Sequence, residues 1–356
     1  VGPLAHFFAT VMVALGTCIS MFWILSSNSW MHTPQGFSIE NGIIVPQDWL
    51  AIIFNPSFPY RLAHMAMAAF LVSALMVAST AAWHLLKGRR DALVKKSFSM
   101  ALWMILALTP LQVLIGDLHG INTLKYQPAK IAAIEGHWDT NQDEGMPLYL
   151  FGIPDMKAEE TKYAIGIPNA GSLILTHSMD GKVQGLKEFA PEDRPNSTIV
   201  FWSFRIMVGL GLLMLLLAII GLWLRRIGRF YESSAFHRFA LIMGPSGFIA
   251  MLAGWFTTEI GRQPWVVYGV MRTKDALSPV SAEQVGLTLI IFVVVYCVVF
   301  GIGIYYMLRI MHKGPEFVHS VPHSDERVIQ ASHRPLGSTD EELDGPPLDN
   351  HQENDK

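Results

Sequence analysis

FWSFRIMVGLGLLMLLLAIIGLWL, residues 201–224, decides the architecture. The stretch carries one charged side chain, Arg205, and exceeds the roughly 20 apolar residues that a helix needs to cross bilayer hydrocarbon. Working outward, similar runs lie near 4–27, 62–86, 98–117, 239–258 and 286–308, so the sequence predicts six spans. Across 356 residues, 51% are hydrophobic and 15% charged, the balance of an integral membrane protein. The expected fold class is all-α, a polytopic transmembrane helix bundle with a long periplasmic loop.

Charge orients the spans. Lys87, Arg89, Arg90, Lys95 and Lys96 follow the second, Arg225, Arg226, Arg229 and Arg238 separate the fourth and fifth, and Arg309 and Lys313 follow the sixth. By the positive-inside bias those ends are cytoplasmic. Segment 28–59 has no Lys or Arg and belongs outside, as do 118–200 and 259–285. The stretch 118–200 is too long for a plain connection and reads as a folded or lid-like loop. Pro110 and Gly244-Pro245-Ser246-Gly247 should kink their helices, and the freed backbone groups must find partners in neighbouring helices. The acidic, Pro-containing end, 313–356, reads as a disordered cytoplasmic tail. The net charge of −3 gives no basic face for nucleic acid, and Cys18 and Cys297 read as small buried hydrophobes.

Ionisable groups gather at the outer ends of the spans, where their cost in hydrocarbon marks a functional site. His64 starts the second span and Met207 lies at matching depth in the fourth; imidazole and thioether together suit the two axial positions of a low-spin haem. Arg205, two residues nearer the surface, suits a propionate. Arg61 reads as an arginine snorkelling to the interface. Trp255, Glu259 and Arg262 share one face if their helix continues, and Glu259 can ligate a metal, accept a proton or pair with Arg262. Lys130 and Glu135, five residues apart in a short helical pattern, point in different directions and read from spacing alone as a solvated face.

Lys130-Ile-Ala-Ala-Ile-Glu135, Leu150-Phe-Gly-Ile-Pro-Asp155, Gly261-Arg-Gln-Pro-Trp265, His64 and Phe204-Arg-Ile-Met207 together closely resemble subunit I of the bacterial cytochrome bd-type quinol oxidases, in the family's order from about residue 4 to 310. The resemblance implies a terminal respiratory oxidase of the bacterial inner membrane. It would oxidise ubiquinol or menaquinol outside, pass electrons through haem b to a dihaem site that reduces oxygen to water, and so contribute to the proton gradient. It implies His64 and Met207 as axial ligands of the low-spin haem b with Arg205 beside it, Glu259 as a ligand of the high-spin haem b, Trp255 between haems, and Arg262 as haem-associated. Lys130 and Glu135 correspond to residues of quinol oxidation, in 118–200 as a periplasmic quinol-binding loop between the span regions 1–117 and 201–312. A second subunit and a small accessory subunit are the implied partners, with haem d or a second haem b completing the oxygen site.

Departures accompany the match. About a dozen residues separate Gly185-Leu-Lys-Glu188 from the fourth span, as in the short-loop branch that includes cyanide-insensitive oxidases. Cys18 stands where Asn is common and His32 where Gln is common, which touches polar contacts near the oxygen-reducing site. The family begins with three further helices absent before Val1, so the resemblance implies a C-terminal portion that would not reduce oxygen alone. The rival readings are a transporter whose buried charges line a substrate path, and a haem b electron-transfer subunit without oxygen chemistry.

Overall fold

A computed structural model describes residues 2–141, 144–277 and 279–314. Its elements run α1 (Pro3–His32), β1 (Phe37–Glu40), β2 (Ile43–Pro46), α2 (Trp49–Ile53), α3 (Phe58–Leu86), α4 (Ala92–Tyr126), α5 (Pro128–Glu135), β3 (Leu148–Asp155), β4 (Glu160–Ile167), α6 (Ala170–Thr176), α7 (Ser197–Arg226), α8 (Ser234–Ile242), α9 (Ser246–Ile260), β5 (Trp265–Val267), β6 (Met271–Arg272) and α10 (Ala282–Lys313). Among the described residues six helical stretches are long and apolar enough to span a membrane, with α8 and α9 together forming the fifth. The chain divides into two units, Gly16–Lys313 and a smaller one whose described residues are 2–15 and 314. In the smaller unit residues 3–15 are helical and almost entirely exposed.

Within the larger unit, α3, α4, α7 and α8 enclose one apolar core. Leu75, Ala78, Ala82, Phe98, Ile105, Leu217, Phe236 and Ala240 are buried there. Alanines along α3 let α8 approach closely, and aromatic rings from the α7–α8 corner fill the remaining space. Phe98 lies 5.0 Å from Phe230 and 5.8 Å from Phe236, centroid to centroid. No side chain of α10 is buried, and apolar surface of that extent is what hydrocarbon covers.

Helix boundaries follow from local chemistry. Asn196 caps α7 by accepting from Ile199 N, and Ser233 caps α8 through Phe236 N. Pro128 opens α5 and Gly136, at φ 70°, closes it in the left-handed conformation. Pro245 cannot donate to Leu241 O, so the fifth span breaks into α8 and α9 instead of running continuously. The freed carbonyl accepts from Gly244 N at 3.1 Å and from Ser79 Oγ of α3 at 3.1 Å. Pro110, by contrast, lies inside an unbroken α4.

Several sequence boundaries are corrected. The third span runs to Tyr126, past 117, and the first to His32, past 27, because polar residues at their outer ends find buried partners and the helices continue. Among the described residues, antiparallel pairs β1–β2, β3–β4 and β5–β6 accompany a mostly helical structure. Gly-Ile-Pro triplets at 152–154 and 166–168 start in β3 and β4 of one hairpin, and the remainder of the outer segment packs on its own small core of Ile131, Ile134, Trp138, Met146, Leu175 and Leu186. Cys18 and Cys297 are exposed instead of buried. From residue 315, the region read as a disordered tail lies outside the described residues.

Gly247 sits where α9 crosses α3: a Cβ there would lie 3.0–3.1 Å from Val72 and Leu75. Gly247→Leu should therefore lower the thermal midpoint of the purified oxidase, with a cost of about 1–3 kcal/mol for overpacking. Gly209→Ala, whose added methyl meets nothing within 4 Å, should leave that midpoint nearly unchanged.

Candidate functional site

At the outer end of the bundle Glu259 links α1, α3 and α9. It lies one residue before the end of α9; Gly261 stops the helix there, so Arg262 leaves the helical face that Trp255 and Glu259 were expected to share with it. Arg262 Nη2 instead turns back to donate to Glu259 Oε2 at 2.6 Å. Glu259 Oε1 accepts from Asn28 Nδ2 of α1 at 2.9 Å, and Asn28 Oδ1 accepts from Arg61 Nη1 of α3 at 2.9 Å. Arg61 is buried within this chain of contacts and does not snorkel. Trp255 is exposed.

The short helix α5 is buried on every side. Ile131, Ala132, Ala133 and Ile134 are buried, and so are Lys130 and Glu135, each 4% exposed. The solvated-face reading of the two charges is overturned, because both point inward against distant elements. Lys130 Nζ lies 3.0 Å from His32 Nδ1 on α1. Burial and the guanidiniums of Arg61 and Arg262 push the lysine well below its ordinary pKa, while Glu259 opposes them.

Glu135 takes the other direction. Its Oε2 lies 3.4 Å from Arg205 Nη2 on α7. Arg205 also donates from Nε to Tyr149 O at 2.7 Å and from Nη1 to Ile134 O at 2.6 Å, with its guanidinium 3.4 Å from the Phe201 ring centroid. One arginine therefore fastens α5 and β3 to α7. Burial raises the Glu135 carboxyl above its ordinary pKa and the neighbouring Arg205 pulls it back down.

His64 and Met207 occupy notches left by glycines. A Cβ at Gly116 of α4 would sit 3.4 Å from His64 Cε1, and one at Gly254 of α9 would sit 2.8 Å from Met207 Sδ. The His64 ring lies 5.9 Å from that of His119. Among the described residues His64 Nδ1, His32 Nε2, Arg61 Nε and Arg262 Nε and Nη1 are buried without hydrogen-bond partners. Buried polar atoms are ordinarily paired. Three orphaned guanidinium nitrogens suit the carboxylates of a haem, and an unpaired imidazole nitrogen suits its iron, so the residues fit that cofactor. Among the described residues no cluster of three or more His, Cys, Asp or Glu side chains is placed to hold a metal by itself.

Asn28 and Gln127 were not read from the sequence as site residues, and His32 was read only as a departure. Gln127 Nε2 donates to His32 O at 3.0 Å. Asn28 and His32 stand four apart at the outer end of a span, a spacing that puts both on one face and could have singled them out.

The family model for cytochrome bd terminal oxidase subunit I matches residues 1–315. The cytochrome bd ubiquinol oxidase subunit 1 of Bacillus subtilis (strain 168) is 34% identical, over 94% of this chain and 74% of that protein. The cytochrome bd-II ubiquinol oxidase subunit 1 of Escherichia coli (strain K12) is 28% identical over 88% of this chain and 74% of its own length. A solved structure of bd oxidase from Geobacillus thermodenitrificans superposes with a TM-score of 0.79 at 32% identity, covering 88% of this chain and 72% of that one.

A carboxylate accepts a proton only when ionised, so chemistry that needs ionised Glu135 is present above its raised pKa and is lost as pH falls through it. Removing Arg205 removes the charge that opposes the shift and sends the pKa further up. The acid limb of the pH–rate profile for quinol-dependent oxygen uptake should therefore move to higher pH in Arg205→Gln and disappear in Glu135→Gln. A limb that stays in place in both would show that Glu135 does not set it.

Proposed function

The chain belongs to the cytochrome bd terminal oxidase subunit I family, and from that premise we propose that it oxidises quinol at the outer ends of its spans and delivers the electrons to haem within the bundle. It is a multi-pass membrane oxidoreductase of the respiratory chain, and family membership sets aside the transporter reading. The observation that carries the proposal is the burial of Lys130 and Glu135 against ionisable partners at the ends of the helices that bear His64, Met207 and Glu259. Buried charges are costly unless paired or used.

In this reading Glu135 and Lys130 divide the work on the substrate. Oxidation of a quinol to a quinone releases two electrons and two protons. Glu135, its affinity for protons raised by burial, accepts a proton from a ring hydroxyl, and Arg205 holds the carboxylate in place and keeps it ionised enough to act. Lys130, tuned downward, orients a ring oxygen by hydrogen bonding. Protons leave on the outer side, and those consumed in forming water come from the cytoplasm, so turnover contributes to the proton gradient.

Haem iron, when bound, supplies one-electron transfer and the reduction of oxygen. His64 and Met207 would hold the low-spin haem b, with Arg205 close to it. Glu259 would serve the high-spin haem b, its carboxylate oriented by Asn28 and Arg262. Arg61 and Arg262 turn unpaired donors toward an anionic group. Trp255 stands on the helix of Glu259, between the haems in this reading. Haem d or a second haem b, a second subunit and a small accessory subunit complete the oxidase, which sits in the bacterial inner membrane with the quinol loop periplasmic.

His64→Ala and Met207→Leu should each abolish the low-spin haem b band in a reduced-minus-oxidised spectrum of the purified oxidase, since each removes one axial bond. Glu259→Ala should spare that band and alter carbon monoxide binding; unaltered binding would reduce Glu259 to the ion pair with Arg262. Glu135→Ala should slow quinol oxidation by about 10²-fold or more as a general base is lost. Lys130→Ala should mainly raise the quinol concentration needed. Parental kinetics in both loop variants, with haem spectra intact, would remove them from the quinol site.

A further inference from the structure

Lys130 is held at both ends of its side chain. Its stem lies across Gly261, where an added Cβ would come within 3.0 Å of Cγ and 3.2 Å of Cε. Its Nζ has one hydrogen-bond partner among the described residues, His32 Nδ1 at 3.0 Å. A lysine has a flexible four-carbon stem and many rotamers, so a single fixed position needs such constraints.

His32 is itself built in. It is 1% exposed. Gln127 Nε2 donates to its carbonyl oxygen at 3.0 Å, and the Gln127 amide also lies 3.4 Å from Nδ1. The other ring nitrogen, Nε2, lies 3.7 Å from Glu259 Oε1 and has no hydrogen-bond partner among the described residues. A neutral imidazole has one donor and one acceptor. When Nδ1 accepts from Lys130, the ring hydrogen is on Nε2 and faces the Glu259 carboxylate, so both sides of the ring meet groups of matching polarity.

We propose that His32 is a positioning residue for quinol oxidation: it fixes the Lys130 amino group in the orientation that binds the quinol oxygen, without itself touching the substrate. The inference rests on the assignment of Lys130 to quinol. It gives a role to a position where the sequence carries a histidine in place of the commoner glutamine, whose side-chain oxygen also accepts a hydrogen bond.

The test compares His32→Leu, His32→Gln, Lys130→Ala and the His32→Leu/Lys130→Ala double variant in the complete oxidase, measuring quinol-dependent oxygen uptake and the low-spin haem band. His32→Leu should raise the quinol KM by about ten-fold, the scale of one lost hydrogen bond to a charged or strongly polar group, with kcat changed by less than about two-fold. His32→Gln should recover most of the loss, and the double variant should be no worse than Lys130→Ala. A parental KM in His32→Leu beside a raised KM in Lys130→Ala would overturn the role of His32 alone. A parental KM in Lys130→Ala would overturn the assignment of that lysine to quinol and this inference with it. Multiplying effects in the double variant, or a His32→Gln variant as impaired as His32→Leu, would also overturn it. If His32→Leu fails to assemble, His32→Phe keeps a ring and removes the acceptor, and the same comparison decides.

Discussion

The Glu259 carboxylate is the constraint on which the outer end of the bundle depends. Arg262 and Asn28 both donate to it, and through Asn28 it reaches Arg61, so one acid ties α1, α3 and the turn after α9. Arg61, Lys130 and Arg262 all act on this region electrostatically. One carboxylate against three basic groups leaves the lip short of negative charge. Burying cations without counter-charge is expensive, and the orphaned nitrogens of Arg61 and Arg262 are the atoms through which an anionic group would make up the difference.

The apolar half of the bundle makes that lip affordable. Close packing of α3 with α4 and α8 fixes the helix that carries both Arg61 and His64. The break at Pro245 separates α8 from α9, and the Ser79 hydroxyl compensates the carbonyl freed by the break.

How much was legible in the sequence depended on range. Length and apolarity are local properties, and the run at 201–224 became α7 within a few residues of its expected limits. Direction is not local. Arg61 was read as snorkelling because a sequence gives a residue's depth along a span but not the neighbour it faces. Lys130 and Glu135 were read as solvated on spacing because charges five residues apart point in different directions and need not pair. Their burial comes from partners 98 and 70 residues away, His32 and Arg205. The family resemblance pointed to both residues where periodicity could not, since a motif retains the outcome of tertiary contacts that local patterning lacks.

The two charges of α5 are tuned oppositely by one cause. Desolvation disfavours the charged form of each, lowering the lysine and raising the glutamate, so a proton is held less tightly at Lys130 and more tightly at Glu135 than in water. Local counter-charges then moderate both shifts, Glu259 for the lysine and Arg205 for the glutamate. A helix of eight residues that placed both charges on one face would let them pair and cancel; a separation of five sends them to different clusters and keeps each available. The spacing that first argued against a site is therefore what allows a site with one group orienting a substrate and another taking its proton.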